Sequence, residues 1–419
     1  METKGKKKLS LALQIFIGLA LGIIAGILFM VTGKAEFATN YVKPFGTIFL
    51  NLLKFIVVPI VLTSIIAGVI SMRDIRKVGS IGWKTVVYYM CTTACAVVIG
   101  LIFANIFKGT FQVLTTSGLE YEASEPVSFM DTLVNIFPSN IIQPMANASM
   151  LQVIVIALFI GFGIILAKEK GDPLAKGIVS LSDVSMTIME MILKLSPFGV
   201  FCLITPVVAE NGPMILGSLA MVLLTAYICY IVHAVFVYSA TVKALGGLSP
   251  IEFFKGMAPA IIMAFSSASS VGTLPLNMEC AEKLGAKKDI ASFVLPLGAT
   301  INMDGTAIYQ GVCAVFIATC YGINLSLSQM LTIVLTATLA SIGTAGVPGA
   351  GMVMLAMVLQ SVGLPVEGIA LVAGVDRIFD MGRTTVNITG DAACSIIVSK
   401  LEAKKEMRMA GKRQTDTVG

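Results

Sequence analysis

The chain has 419 residues, of which 56% are hydrophobic and only 13% charged, against about 25% charged in a typical soluble domain. With a mean hydropathy of +0.91 in 44.2 kDa, it carries more apolar surface than a soluble fold could hide, which excludes a cytosolic enzyme and a disordered protein. The net charge of +5 comes from basic residues at the edges of apolar runs, where they orient helices, and implies no nucleic-acid partner.

A membrane helix needs about 20 apolar residues. Long continuous apolar runs, rather than alternating ones, point to helices and not a barrel. The runs fall near 10–31, 45–71, 82–107, 127–167, 176–208, 213–242, 256–278, 290–320, 329–361 and 366–399. Lys4, Lys6, Lys7 and Lys8 precede the first, which is too long for the apolar core of a signal peptide and reads as a membrane helix starting inside. Basic residues then mark every second boundary: Arg73, Arg76, Lys77 and Lys84; Lys168, Lys170 and Lys176; Lys243 and Lys255. The segment 109–126 has Glu120, Glu122 and Glu125 and lies outside. The first six runs therefore alternate in direction, and both termini are expected on the cytoplasmic side of a plasma (inner) membrane.

His233 lies in the sixth apolar run and reads as structural. The eight cysteines form no C-x-x-C pair and read as small apolar residues.

The seventh run breaks the alternation. Lys243 and Lys255 precede it, and Lys283, Lys287 and Lys288 follow it, so it enters and leaves on one side. Its centre, Ser266-Ser267-Ala268-Ser269-Ser270-Val271-Gly272-Thr273-Leu274-Pro275, suits the tip of a re-entrant hairpin. The ninth run is interrupted likewise by Ser341-Ile342-Gly343-Thr344-Ala345-Gly346-Val347-Pro348-Gly349 and reads as a second hairpin from the opposite face. Paired broken segments point to a transporter's substrate site. The alternative, two kinked ordinary spans, violates the charge pattern.

Between the hairpins, Asn302-Met303-Asp304-Gly305-Thr306 interrupts the eighth run. An ionised Asp at that depth costs several kcal/mol unless paired or hydrated. Carboxylate, amide and freed carbonyl oxygens suit a hard cation such as sodium. In the last run, Asp376, Asp380, Arg383, Thr384, Asn387 and Asp391 share an arc of about 100° at about 100° per residue. That stripe must face protein or an aqueous cavity. Arg383 offers a fork for a carboxylate. Asp376 and Asp380 suit an ammonium, and Asn387 and Asp391 suit a cation. An internal salt-bridge network that fixes helix packing is the alternative.

The blocks Ser269–Pro275, Gly298–Gln310 with N-M-D-G-T, and Ser341–Gly349 followed by D-M-G-R-T and N-x-T-G-D in 380–391 resemble the dicarboxylate/amino acid:cation symporters, the glutamate and aspartate transporter family, essentially end to end. The resemblance implies an all-α membrane protein of eight transmembrane helices plus two oppositely oriented re-entrant hairpins, built from inverted repeats. It implies scaffold helices in 1–76 and 125–210, transport helix three with an outer loop in 77–124, and a transport domain in 211–402. That domain has an inner hairpin at 250–283 and an outer hairpin at 328–362. Residues 403–419 form a flexible tail. The implied assembly is a homotrimer in the lipid bilayer, working by an elevator movement.

Carried over by position, the resemblance places substrate on Ser269, Ser270, Thr306, Gly346, Val347, Asp380, Arg383, Thr384 and Asn387. Sodium ions fall to three groups: Gly298, Asn302, Asn387 and Asp391; Thr300, Met303, Ser341, Ile342 and Thr344; and Tyr89, Thr92, Thr93, Asn302 and Asp304. The chain departs from the family at Ala268 and Met381, where other members carry a second arginine. Arg377, three residues before Asp380, can replace that pairing on one helix face. Gln310 stands where proton-carrying vertebrate relatives have Glu.

The expectation is sodium-coupled symport of L-aspartate or L-glutamate. A sodium- or proton-coupled carrier of neutral amino acids, C4-dicarboxylates or cystine is the alternative, the last because Val271 beside Gly272 resembles cystine carriers. A channel would not accumulate solute. A membrane enzyme would need a nucleophile–base pair that one His and scattered cysteines do not offer.

Overall fold

The computed structural model describes residues 11–71, 79–111, 113, 134, 137–147, 149–212, 215–341 and 350–416, and their regular structure is entirely helical. Among the described residues, five helical stretches, Leu13–Val31, Ser80–Thr110, Gln152–Ile192, Leu216–Gly246 and Lys288–Cys320, are long and apolar enough to cross a bilayer. Their number and length are those of a multi-pass membrane protein.

Helix α1 (Leu11–Val31) is about 31 Å long at 1.5 Å per residue, the thickness of a hydrocarbon layer. Gly18, Gly22 and Gly26 recur on one of its faces. A Cβ on them would strike the Pro197 carbonyl, Ile204 and the Thr205 carbonyl of α6 (Ser196–Asn211), so the two backbones lie almost in contact. Lipid tails are as apolar as leucine, so close packing of small residues, not the hydrophobic effect, holds such helices together.

Helix α2 (Lys43–Ser71) packs on α4 (Met150–Ala167), α5 (Asp172–Leu193) and α6. The sequence presents 176–208 as one apolar run. The structure breaks it between Leu193 and Ser196, where Pro197 opens a new helix because its ring lacks the N–H that a continuing helix needs.

The other helices pack chiefly on one another. They are α3 (Ser80–Phe107), α7 (Ile215–Val232), α8 (Pro250–Ser267), α9 (Ser270–Lys283), α10 (Lys288–Ile301), α11 (Asp304–Cys320), α12 (Leu327–Ala340), α13 (Ala350–Ser361) and α14 (Asp376–Asp416). Helix α14 touches α3, α7, α8, α9, α10 and α11 and so lies at the centre. The two groups meet chiefly where α13 packs on α2 and α4 and where Ile369–Ala373 packs on α6, with smaller contacts of α12 on α4 and α10 on α2.

Helices α8 and α9 fold back on each other. The turn is sharp because Ala268 takes a left-handed φ of 49° and Ser269 caps α9 by accepting a hydrogen bond from Gly272 N at 3.1 Å. Helices α12 and α13 pack together likewise; their connection, 342–349, lies outside the described residues. Helix α12 starts at a reciprocal cap, with Ser326 and Gln329 bonding each other's backbone N–H. Between α10 and α11, Asn302 is extended (φ −90°, ψ 105°), which opens the helix where the N-M-D-G-T block predicted a break.

Helix α14 runs on to Asp416, so residues 403–416 continue the helix where a flexible tail was expected over 403–419. Residues 401–411 are almost all strong helix formers, and Lys84–Glu402 (2.7 Å) and Lys287–Glu406 (2.8 Å) tie the extension to α3 and to the start of α10. The first pair is partly buried and the second exposed, and surface pairs of this kind contribute about 1 kcal/mol or less each, so helix propensity is the larger cause.

Candidate functional site

The polar stripe of α14 is buried along its whole length: Asp376, Asp380, Arg383, Thr384, Asn387 and Asp391 are each at most 5% exposed. Arg383 Nε donates to Asp380 Oδ1 at 2.8 Å, while Nη1 and Nη2 donate to the two oxygens of Asp376 at 3.0 and 3.2 Å. The guanidinium carbon lies 4.7 Å from the centre of the Tyr309 ring, a cation–π contact. A Cβ at Gly351 would overlap the guanidinium, so the first turn of α13 covers Arg383 with bare backbone. Arg377 adds a second cation. It donates to the Ser267 carbonyl at 3.0 Å and lies 3.8 Å from Asp380 Oδ2. Two arginines balance two carboxylates here, which is what makes a charged cluster tolerable at this depth. The salt-bridge network offered by the sequence is present, and it is built on the same forked group that suits a carboxylate ligand.

A second cluster surrounds Asp304 at the start of α11. Thr93 (2.7 Å) and Thr92 (3.3 Å) of α3 donate to Oδ1, and Tyr238 (2.7 Å) donates to Oδ2. His233 Nε2 lies 3.2 Å from Oδ2, and both side chains are fully buried. The sequence reading missed His233 and Tyr238. Five residues apart on an α-helix, they would point about 140° from each other. Here His233–Tyr238 is a π-helical turn, and its i→i+5 bonding brings both toward Asp304. The available signal was a lone ionisable residue inside a membrane helix, which favours a functional partner.

A third cluster joins α10, α11 and α14. Asn302 Nδ2 donates to Asp391 Oδ1 at 2.9 Å and to the Asn387 carbonyl at 3.0 Å. Asn302 Oδ1 is buried without a protein partner. Gly298 lies against Asp391 and the Tyr89 hydroxyl, where any side chain would collide. A carboxylate, an unpartnered amide oxygen and helix-end carbonyls are the donor set of a hard monovalent cation. Among the described residues no three His, Cys, Asp or Glu side chains gather as a metal centre.

Beside this cluster, Asn387 accepts from Gly305 N at 2.7 Å, and its amide nitrogen lies 3.4 Å from Thr306 Oγ1 and 3.3 Å from the Met303 sulfur. The structure thus brings together Asp380 and Arg383; Thr306, Met303 and Asn387; Asn302, Gly298 and Asp391; and Thr92, Thr93 and Asp304. Tyr89 sits with Asp391, and its hydroxyl donates to the Val294 carbonyl at 3.1 Å rather than meeting Asp304. Ser269 is the cap of α9 and Ser270 is buried at its first turn. Thr300 bonds the Leu297 carbonyl, and Ser341 closes α12 through the Thr338 carbonyl. Ile342, Thr344, Gly346 and Val347 lie outside the described residues.

A family model for the sodium:dicarboxylate symporter family matches residues 11–401. The chain is 39% identical over 412 residues to the proton/sodium-glutamate symport protein of Geobacillus stearothermophilus, covering 95% of this chain and 96% of that one. It is 36% identical over 404 residues to the protein of the same name in Bacillus subtilis, covering 94% and 93%. It is 35% identical over 426 residues to the proton/glutamate-aspartate symporter of Escherichia coli, covering 98% and 97%.

Proposed function

The chain belongs to the sodium:dicarboxylate symporter family, and on that footing we propose that it is a secondary active symporter of acidic amino acids, L-aspartate or L-glutamate, driven by sodium. The observation that carries this reading is the buried Arg383 fork, held between Asp376 and Asp380 beside two oxygen-rich clusters. A fixed guanidinium selects a second carboxylate on the substrate. Asp380 receives the amino group, while Ser269, Ser270, Thr306, Thr384 and Asn387, with Gly346 and Val347 of the outer hairpin, frame the rest. Substrate carboxylate and Asp376 compete for the same two guanidinium nitrogens, so a bound substrate must share the guanidinium with Asp376 or leave that buried carboxylate to a cation such as the substrate ammonium.

Sodium is cargo in this scheme. One ion lies among Gly298, Asn302, Asn387 and Asp391, which the unpartnered Asn302 oxygen supports. A second uses Thr300, Met303, Ser341, Ile342 and Thr344. A third uses Asp304 with Thr92 and Thr93, which already point to it, and Tyr89 and Asn302 border that site. The α8–α9 and α12–α13 hairpins are re-entrant, joining eight spanning helices. Helices α1, α2 and α4–α6 form the scaffold of a homotrimer in the plasma (inner) membrane, with both termini cytoplasmic, and α3 with α7–α14 moves as an elevator. The separate packing of the two groups supports that division.

The test is uptake of radiolabelled L-aspartate into liposomes holding the purified protein. Concentrative uptake that requires an inward sodium gradient is expected. Uptake that follows a proton gradient and ignores sodium overturns the cation assignment. Sodium-driven uptake of a neutral amino acid, cystine or a C4-dicarboxylate, without aspartate, overturns the substrate.

A further inference from the structure

We infer that Arg377 is a positioning residue that clamps the turn of the α8–α9 hairpin to Asp380. The inference deepens the reading above and rests on it for the role of Asp380. Helix α8 ends at Ser267, and its last carbonyls have no intrahelical donors. Helix ends of this kind are commonly closed by glycine in a left-handed conformation. Here the left-handed residue is Ala268, 1% exposed with φ 49°, a conformation a side chain makes costly.

Arg377 supplies a holding contact from outside the hairpin. Its Nη2 donates to the Ser267 carbonyl at 3.0 Å, placing a cation at the negative end of α8. Its Nη1 lies 3.8 Å from Asp380 Oδ2, on the side of Asp380 that Arg383 does not use. One planar group therefore spans two elements 110 residues apart in sequence. A lysine has one ammonium in place of the planar fork and does not reproduce two contacts made from separate nitrogens. Within the turn, the Ser267 and Thr273 hydroxyls lie 3.4 Å apart and Ser269 N donates to the Ser267 hydroxyl at 3.3 Å, so a pull on Ser267 moves the whole tip.

The experiment reads two quantities. The first is L-aspartate uptake by proteoliposomes containing Arg377→Gln or Arg377→Lys. Gln is expected to raise the half-saturating aspartate concentration about tenfold, and Lys to raise it less. The second is the rate at which a maleimide labels a thiol introduced by Ala268→Cys, followed by peptide mass so that the native cysteines do not interfere. The buried thiol should react slowly in the Ala268→Cys parent, about fivefold faster with Arg377→Gln, and at an intermediate rate with Arg377→Lys.

Unchanged labelling in both Arg377 variants overturns the clamp, as does unchanged half-saturation. Should the Gln variant fail to fold, the Lys variant decides by the same criterion. Labelling does not depend on which solute is carried. A parent that takes up no aspartate therefore sinks the functional reading while the labelling rates still judge the clamp.

Discussion

In the proposed site, Arg383 is assigned to an organic anion and Asp391 to an inorganic cation. Arg383 is committed through all three of its nitrogens to Asp376 and Asp380, so its geometry is set before any ligand arrives. Replacing it by Lys keeps the charge but loses the fork. Half-saturation by aspartate should rise about tenfold or more, and Arg383→Ala should abolish aspartate uptake while neutral amino acids still compete for the site. Intact aspartate uptake in Arg383→Ala would remove the residue from the substrate site. Asp391→Asn keeps the shape and the bond to Asn302 but removes the charge. A sodium titration of uptake should show half-saturation shifted up about tenfold, and an unshifted curve would assign that ion elsewhere. His233 and Tyr238 show how much of the Asp304 site was hidden, because their convergence depends on a π-helical turn.

At the scale of helices, the contact between α1 and α6 depends on three glycines, and it can be tested against a built-in control. Gly18→Ala places a methyl against the Pro197 carbonyl, which is backbone and cannot rotate away. Gly217→Ala on α7 meets nothing within 4 Å and should gain about 1 kcal/mol of helix propensity. Thermal unfolding in detergent should therefore show Gly18→Ala below the parent and Gly217→Ala at or above it. Equal midpoints would mean that the α1–α6 contact is looser than drawn. The turn between α8 and α9 was legible from clustered Ser, Gly and Pro, since those residues act on the local backbone; the corresponding tip at 342–349 lies outside the described residues. The division of 176–208 into α5 and α6 was not, because hydropathy is continuous across the break and Pro197 fits a kink as readily as a new start.

Across the whole molecule, two groups of helices meet chiefly at α13 and at Ile369–Ala373. If one group slides past the other, a disulfide engineered between α2 and α13 should stop uptake until it is reduced. One between α1 and α6, inside a single group, should leave uptake intact. Uptake that survives the α2–α13 bridge would rule out relative motion along that contact. The central place of α14 explains why so much chemistry lies on one helix: its neighbours on every side keep six polar residues away from lipid.

The amino-acid sequence by itself determined the membrane class, the two broken segments, the opened helix at Asn302 and the one-sided polar stripe of α14. Each of these follows from local dehydration cost and helical period, which act within a few turns. Only the tertiary structure decided which groups meet. Arg383 takes Asp376 with two nitrogens and Asp380 with one, and the Tyr89 hydroxyl donates to the Val294 carbonyl rather than to Asp304. Asp304 accepts from residues 66 and 211 positions away, and Arg377 reaches Ser267 across 110. Pairings over such separations depend on how helices are placed against one another, and no local periodicity encodes that placement.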